Sequence, residues 1–219
     1  MFELSKVEHV HVREAMVGHL RHIEEDLAKR VAVGLAFDKM PDAPVVPALV
    51  QELEPSPALQ LIGKMKDTLL GRAIGILIAN GSDGVVIEKI KKAATDAGAT
   101  VKIVAPKVGG VRLAAGSVLA ADGQLAGTPS VLFDAVAVIL SDEGAKVLSR
   151  ESAAIDFVRD AFGHLKAIGV DKGGHALLKI AHVGQDAGVV HVDTHDTDAF
   201  IAAAKTRQWD REKSVRTLA

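Results

Sequence analysis

Cysteine and tyrosine are both absent from this chain of 219 residues. Without cysteine there is no disulfide, no thiolate nucleophile and no Cys-ligated zinc, and cysteine usage says nothing about the redox compartment. Without tyrosine there is no phenolic acid or base and no tyrosinate ligand to iron. Aromatic residues make up only 3% of the chain. Positive charge is not in excess either. The formal net charge is −2 and the pI about 6.5, whereas nucleic-acid binding needs a basic surface. No apolar run approaches the ~18 residues of a membrane span. The first residues, Met1-Phe-Glu-Leu-Ser-Lys6, hold no apolar signal core. The expected location is therefore cytoplasmic, with no membrane or nucleic-acid partner.

Apolar residues account for 48% of the chain, enough for a full core. Alanine and valine dominate, which suits a parallel sheet covered by helices. The length has room for one ordinary domain plus an extension.

Residues 1–36 read as one long amphipathic helix with an approach segment. Ser5-Lys-Val-Glu8 fits a capping box. Val12, Met16, Leu20, Ile23, Leu27 and Val31 then recur at steps of three or four, one apolar stripe. Glu25–Lys29 and Asp26–Arg30 are spaced for i,i+4 pairing on the polar face. Such a stripe needs cover. His9, His11, His19 and His22 have spacings that a metal could use, but no acidic or cysteine partner completes a set, and they read as polar-face or packing histidines.

Residues 37–70 contain Pro41, Pro44, Pro47, Pro55 and Pro57. Proline fixes φ and removes a donor, so this is an extended connector, with a short helical turn allowed at Pro57–Gly63.

Residues 71–219 alternate strand and helix. Ala73–Ala79, Val101–Pro106, Ala135–Leu140, Ile168–Val170 and Gly188–Val192 read as strands. Val85–Gly98, Glu151–His164, Gly174–Ala181 and Thr197–Arg211 read as helices. Ala121-Asp122-Gly123 reads as a hairpin turn. The pattern predicts a doubly wound, mostly parallel α/β sheet with helices on both faces.

Ligands of such sheets sit beyond the carboxyl ends of the strands. Three stretches fall there. Asn80-Gly-Ser-Asp-Gly84 could cradle a phosphate, but it is neither GxGxxG nor a P-loop and reads as a βα turn with Ser82 or Asp83 as N-cap. Ser141-Asp142-Glu143 lacks the G-x-S-x-G of a nucleophile elbow, and Ser141 reads as a helix cap. Asp171-Lys172-Gly173-Gly174 forms a sharp turn where a nucleophile would stand on strained backbone. Its tip is Lys172, whose ammonium the adjacent Asp171 stabilises, the opposite of what nucleophilic lysine needs. His191, Asp193, His195 and Asp196 form the most metal-like cluster, although Asp196 and Asp198 also suit the first turn of the final helix.

Together these residues resemble the intracellular-protease and class I glutamine amidotransferase superfamily. In that superfamily the elbow carries a cysteine, usually followed by His-Gly; the matching positions here are Lys172, Gly173 and Gly174. The family's partner acid falls at about Asp83, and Ser141-Asp142 stands where a glycine pair is usual. The resemblance implies a non-catalytic member.

Phe2-Glu-Leu-Ser-Lys-Val7, Glu24-Glu-Asp-Leu-Ala-Lys-Arg-Val31, Pro55-Ser-Pro-Ala-Leu59 and Trp209-Asp-Arg-Glu212 further resemble the C-terminal part of large-subunit haem catalases. There a flavodoxin-like domain follows the haem-bearing barrel and a helical domain. The resemblance implies that residues 1–36 are the tail of the helical domain, 37–70 the connector and 71–219 the flavodoxin-like domain. Met1 then looks like an added start on a fragment of a longer protein. It implies haem in the full-length parent but none here, because that family's haem ligand is a tyrosinate. Peroxide decomposition would belong to the parent and not to this chain.

The resemblance also implies a packing role in the parent oligomer and chaperone-like protection of unfolding proteins, with Val12, Met16, Leu20, Ile23, Leu27 and Val31 as candidates for client binding. Two other readings remain open at this stage. One is a hydrolase, amidase or other small-molecule site using Asp83, Lys172 and His175. The other is a flavin or nucleotide binder at the same end of the sheet.

Overall fold

The computed structural model describes residues 1–47, 54, 56–192 and 197–215. The chain divides into two units, one within residues 1–60 and one over Leu61–Val215. The division falls inside the Pro-rich connector. Of that connector, residues 48–53 and Pro55 lie outside the described residues. Its Pro57–Gly63 stretch holds isolated turns, with Leu59 N–H donating to Ser56 O at 3.0 Å, and no helix.

The first unit corrects the expectation of one long helix. Its helices are α1 (Phe2–Ser5), α2 (Val10–Leu20) and α3 (Glu25–Gly34). Ser5 does not start a helix. It ends α1, and its hydroxyl donates to Phe2 O at 2.8 Å. The break between α2 and α3 has a clear cause. Glu24 is extended (φ −163°), and its carboxylate accepts the Asp26 and Leu27 amides, capping a new helix. Glu25 consequently pairs backwards with Arg21, at 3.1 Å. The bend splits the predicted stripe. Val31 is buried in a small cluster with Val17, Ala28, Ala32 and Leu35, and Leu20 and Leu27 pack on it. Val12, Met16 and Ile23 stay exposed.

The second unit is built on a six-stranded sheet. Its strands are β1 (Ala73–Ile78), β2 (Thr100–Ala105), β5 (Gly123–Gln124), β6 (Ala135–Ile139), β7 (Ile168–Val170) and β8 (Val189–His191). They lie in the order β5-β2-β1-β6-β7-β8, and every pairing is parallel. β1 leads first to β2 on one side, and the chain later returns to β6 on the other. The switch point therefore lies between β1 and β6.

Strand periodicity explains the two cores. Ile74, Ile76, Ile78, Ala135, Ala137 and Ile139 face α4 (Gly84–Asp96) and α8 (Thr197–Ala204), meeting Ile87, Ile90 and Phe200. Leu77, Val136, Val138, Ile168 and Val170 face the other way. They meet α5 (Asp142–Leu148), α6 (Ser152–Gly163) and α7 (Lys172–Ile180) through Leu148, Phe157, Val158 and Leu177. A sheet covered on both faces reads as near-continuous apolar runs, as AIGILI and AVAVI do.

Three boundaries differ from the sequence reading. The hairpin pairs β3 (Val111–Arg112) with β4 (Val118–Leu119), and Leu113 N–H closes it on Ser117 O at 2.8 Å. Asp122 is not its turn. Its amide donates to Ile103 O and its carboxylate accepts Ile103 N–H at 2.7 Å, so it stitches β5 to the sheet edge. The helix after β7 starts at Lys172, two residues early, because Asp171 caps it. The closing helix stops at Ala204. Gln208 N–H then donates to Leu165 O at 2.8 Å, and a 3-10 turn (Trp209–Arg211) and α9 (Glu212–Val215) follow.

Candidate functional site

The carboxyl ends of β1, β6 and β7 converge as the topology requires, but the chain fills this end with its own side chains. Ser82, fully buried, accepts the Ala79 amide at 2.9 Å and shares its proton between Ala79 O and Ile139 O. Asp83 caps α4 by accepting Val85 N–H at 2.8 Å. Gly81 N–H donates to Arg112 O, and Ser82 N–H to Ala79 O. The Gly81 and Ser82 amides, two of those that would hold a phosphate at Asn80–Gly84, are thus engaged. Ser141 caps α5, its hydroxyl accepting Gly144 N–H at 2.9 Å and donating to Asn80 O at 2.8 Å.

Asp171 is the deepest of these caps. Its carboxylate accepts Leu140 N–H at 2.9 Å and Gly174 N–H at 2.7 Å, tying β6 to the start of α7. The Gly173-Gly174 pair has a steric cause. A Cβ at Gly173 would strike the Leu140 carbonyl oxygen, and one at Gly174 the Val138 carbonyl oxygen. The pair lets a helix approach a strand. Lys172 is an ordinary helical residue, and its backbone is not among the positive-φ positions. The strained elbow expected there is absent.

The three residues of the hydrolase reading each serve elsewhere. Asp83 caps its helix. Lys172 reaches Asp142 across 3.0 Å of exposed surface. His175 packs edge-on against His191, ring centres 5.0 Å apart. Desolvation lowers the His175 pKa, the Lys179 and His191 charges lower it further, and a hydrogen bond donated to the Gln185 side chain partly offsets them. His175 is therefore held neutral to lower pH than a free imidazole. The structure brings no acid–base pair together from this trio.

Among the described residues, no three His, Cys, Asp or Glu side chains come together with metal-binding geometry. His9 stacks near His11 with ring centres 5.7 Å apart, and His22 Nε2 contacts Pro44 O at 2.7 Å. Of the cluster at 191–196, His191 faces His175, while Asp193, His195 and Asp196 lie outside the described residues. No described helix is long and apolar enough to cross a membrane.

The amino end of the same sheet holds what sequence reasoning missed. Arg211 is buried and donates to both carboxylate oxygens of Asp186, at 2.6 and 2.8 Å. It also donates to Lys166 O at 2.9 Å and Phe162 O at 3.2 Å, and its guanidinium lies 3.9 Å from the Phe162 ring centre. Burial pushes the Asp186 carboxyl up. The Arg211 hydrogen bonds and charge, with the Gly188 and Val189 amides, outweigh that and hold it below the usual range. Buried Lys166 donates to Ser130 O at 2.7 Å. Desolvation, helped by the Arg207 charge, pulls its pKa down to about 8 against the opposing pull of Asp134 and Asp160. A cavity of about 450 Å³ opens beside this cluster, with Ile62, Gly188, Arg207 and Trp209 in its wall.

The chain is similar in sequence to known proteins. The model of a protein family described as the C-terminal domain found in long catalases matches residues 70–212. Catalase C of Rhizobium meliloti is 41% identical across 98% of this chain, which covers 31% of that protein. Catalase HPII of Mycobacterium avium is 36% identical across 91% of the chain and 27% of its own length. Catalase HPII of Pseudomonas aeruginosa is 30% identical across 99% of the chain and 31% of its own length. The chain spans less than a third of each of these relatives. With a family model matching well over half of its residues, the chain belongs to the family of C-terminal domains of long catalases.

Proposed function

We propose that this chain is a non-catalytic packing domain of a large-subunit catalase, stabilising its oligomer and covering the approach to the haem channel, and that it protects unfolding proteins from aggregation. The observation that carries the first part is the self-occupied switch point. Asp83, Ser141 and Asp171 spend their oxygens on the fold, and Lys172 is an ordinary helical residue where an elbow would stand. The tyrosinate that holds haem in the resembled catalases has no counterpart here, since the chain has no tyrosine. On this reading haem and peroxide decomposition belong to the remaining part of a full-length parent, in the cytoplasm. The domain's partners are that core and neighbouring subunits.

Exposed Val12, Met16 and Ile23 support the protective role, since exposed apolar side chains mark interaction surfaces. A net charge of −2 helps keep a client complex soluble. The test is light scattering from an unrelated enzyme under heat stress, with this chain or an inert protein at equal mass. Suppression at near-stoichiometric ratios is expected. Scattering equal to the control would leave a packing domain without independent protective activity.

A further inference from the structure

Two histidines from different elements meet at the carboxyl-end rim of the sheet. His191 closes β8, in register with Val170 of β7. His175 stands in the first turn of α7, whose start Asp171 ties to β6. The two rings are inclined at 75° with their centres 5.0 Å apart. Their backbones are thus fixed by the sheet unit, while solvent reaches both rings. His175 is half-buried and His191 is exposed.

Gln185 orients one of the rings. Its Nε2 donates to Val189 O at 3.0 Å, which leaves its Oε1 to accept a ring N–H of His175. When one nitrogen of a neutral imidazole donates, the other carries a lone pair. A carbonyl acceptor behind the ring is the usual outer partner of a metal-bound histidine and sets its tautomer and direction. The separation fits the same reading. Two imidazoles on one tetrahedral zinc, with Zn–N bonds of about 2.0–2.1 Å, hold their ring centres roughly 5 Å apart. His9 and His11 make a looser pair. Their centres are 5.7 Å apart, both are exposed, and Gln185 has no counterpart there among the described residues.

We propose that His175 and His191 together bind a borderline divalent transition-metal ion such as zinc, with water filling the remaining positions. Imidazole nitrogen suits ions of this class. The ion pins α7 to β8 and stabilises the fold by mass action, since the unfolded chain does not hold the two rings together. The Lys179 ammonium, one turn on from His175, opposes a second cation. It is exposed, so solvent and salt screen it. The site is independent of the packing role proposed above.

The test is a zinc chloride titration of the full chain, followed by the histidine ring signals in NMR spectra and by thermal melting. The His175 and His191 signals should shift together and saturate at one ion per chain, and the melting temperature should rise with zinc. His191→Ala should abolish both the shift at His175 and the zinc-dependent rise. Because His191 is exposed, that variant keeps the fold; His175→Ala should act in the same way. Gln185→Leu keeps both rings and should weaken zinc binding ~10-fold, the loss expected of an outer partner. Unchanged affinity in Gln185→Leu would mean an ion held adventitiously by exposed histidines and would overturn a built site. Zinc binding that survives His191→Ala, with shifts at His9 and His11, would overturn the assignment. A shift at only one of the two rings, or none with zinc in excess, would overturn it as well.

Discussion

Asp186 and Arg211 carry the largest single-residue consequences. Replacing Asp186 by Asn leaves a buried guanidinium with carbonyls alone, and breaking such a pair costs about 3 kcal/mol. Urea unfolding of Asp186→Asn should show that loss at pH 7. The linkage sign follows from the lowered carboxyl. The stabilisation is present above the unfolded value of 3.8 and disappears as pH falls through the lower folded value. Lys166 works on the alkaline side. Its folded pKa of about 8 lies below the unfolded 10.5, so between them the unfolded chain binds more protons and stability rises with pH. Lys166→Met should flatten that rise between pH 8 and 10.5 in parallel urea titrations. Neither group was visible in the sequence. Trp209-Asp-Arg-Glu212 stands out there as a motif, but Asp186 is 25 residues from Arg211, and no spacing rule links them.

At the scale of elements, the strand-turn-helix of 166–178 makes the sharpest comparison. Gly174→Ala would push a Cβ into the Val138 carbonyl oxygen, and such overpacking costs about 1–3 kcal/mol. Lys172→Ala removes one exposed ion pair, worth about 0–1 kcal/mol. Thermal melts of the two variants should therefore separate clearly, with Lys172→Ala near wild type. A nucleophile-bearing elbow would reverse the concern, making the residue at 172 the sensitive one for activity. The central strands were legible as near-continuous apolar runs, AIGILI and AVAVI, bounded by turn residues. The hairpin was misplaced because Asp122-Gly123 has turn chemistry but is spent on sheet pairing with Ile103. The first helix was overextended because the apolar stripe runs on through Glu24, where a local carboxylate captures two amides and ends it.

At the scale of the whole molecule, two units have separate apolar clusters. Deleting residues 1–36 removes exposed Val12, Met16 and Ile23 and is expected to weaken protection in the scattering assay, with far-UV dichroism showing the sheet unit still folded. Unchanged protection would move client binding onto the sheet unit. By itself the sequence determined the class of fold, five of the sheet's six strands and the helices α4, α6, α7 and α8, and the exclusion of thiol and phenol chemistry. Those follow from periodicity and composition, which are properties of the chain read in order. Only the tertiary structure decided which of the candidate residues serve the fold. The switch point closes on Ser82, Asp83, Ser141 and Asp171, and the amino end gathers Arg211, Asp186 and Lys166, because both depend on pairings across crossovers that no local pattern encodes.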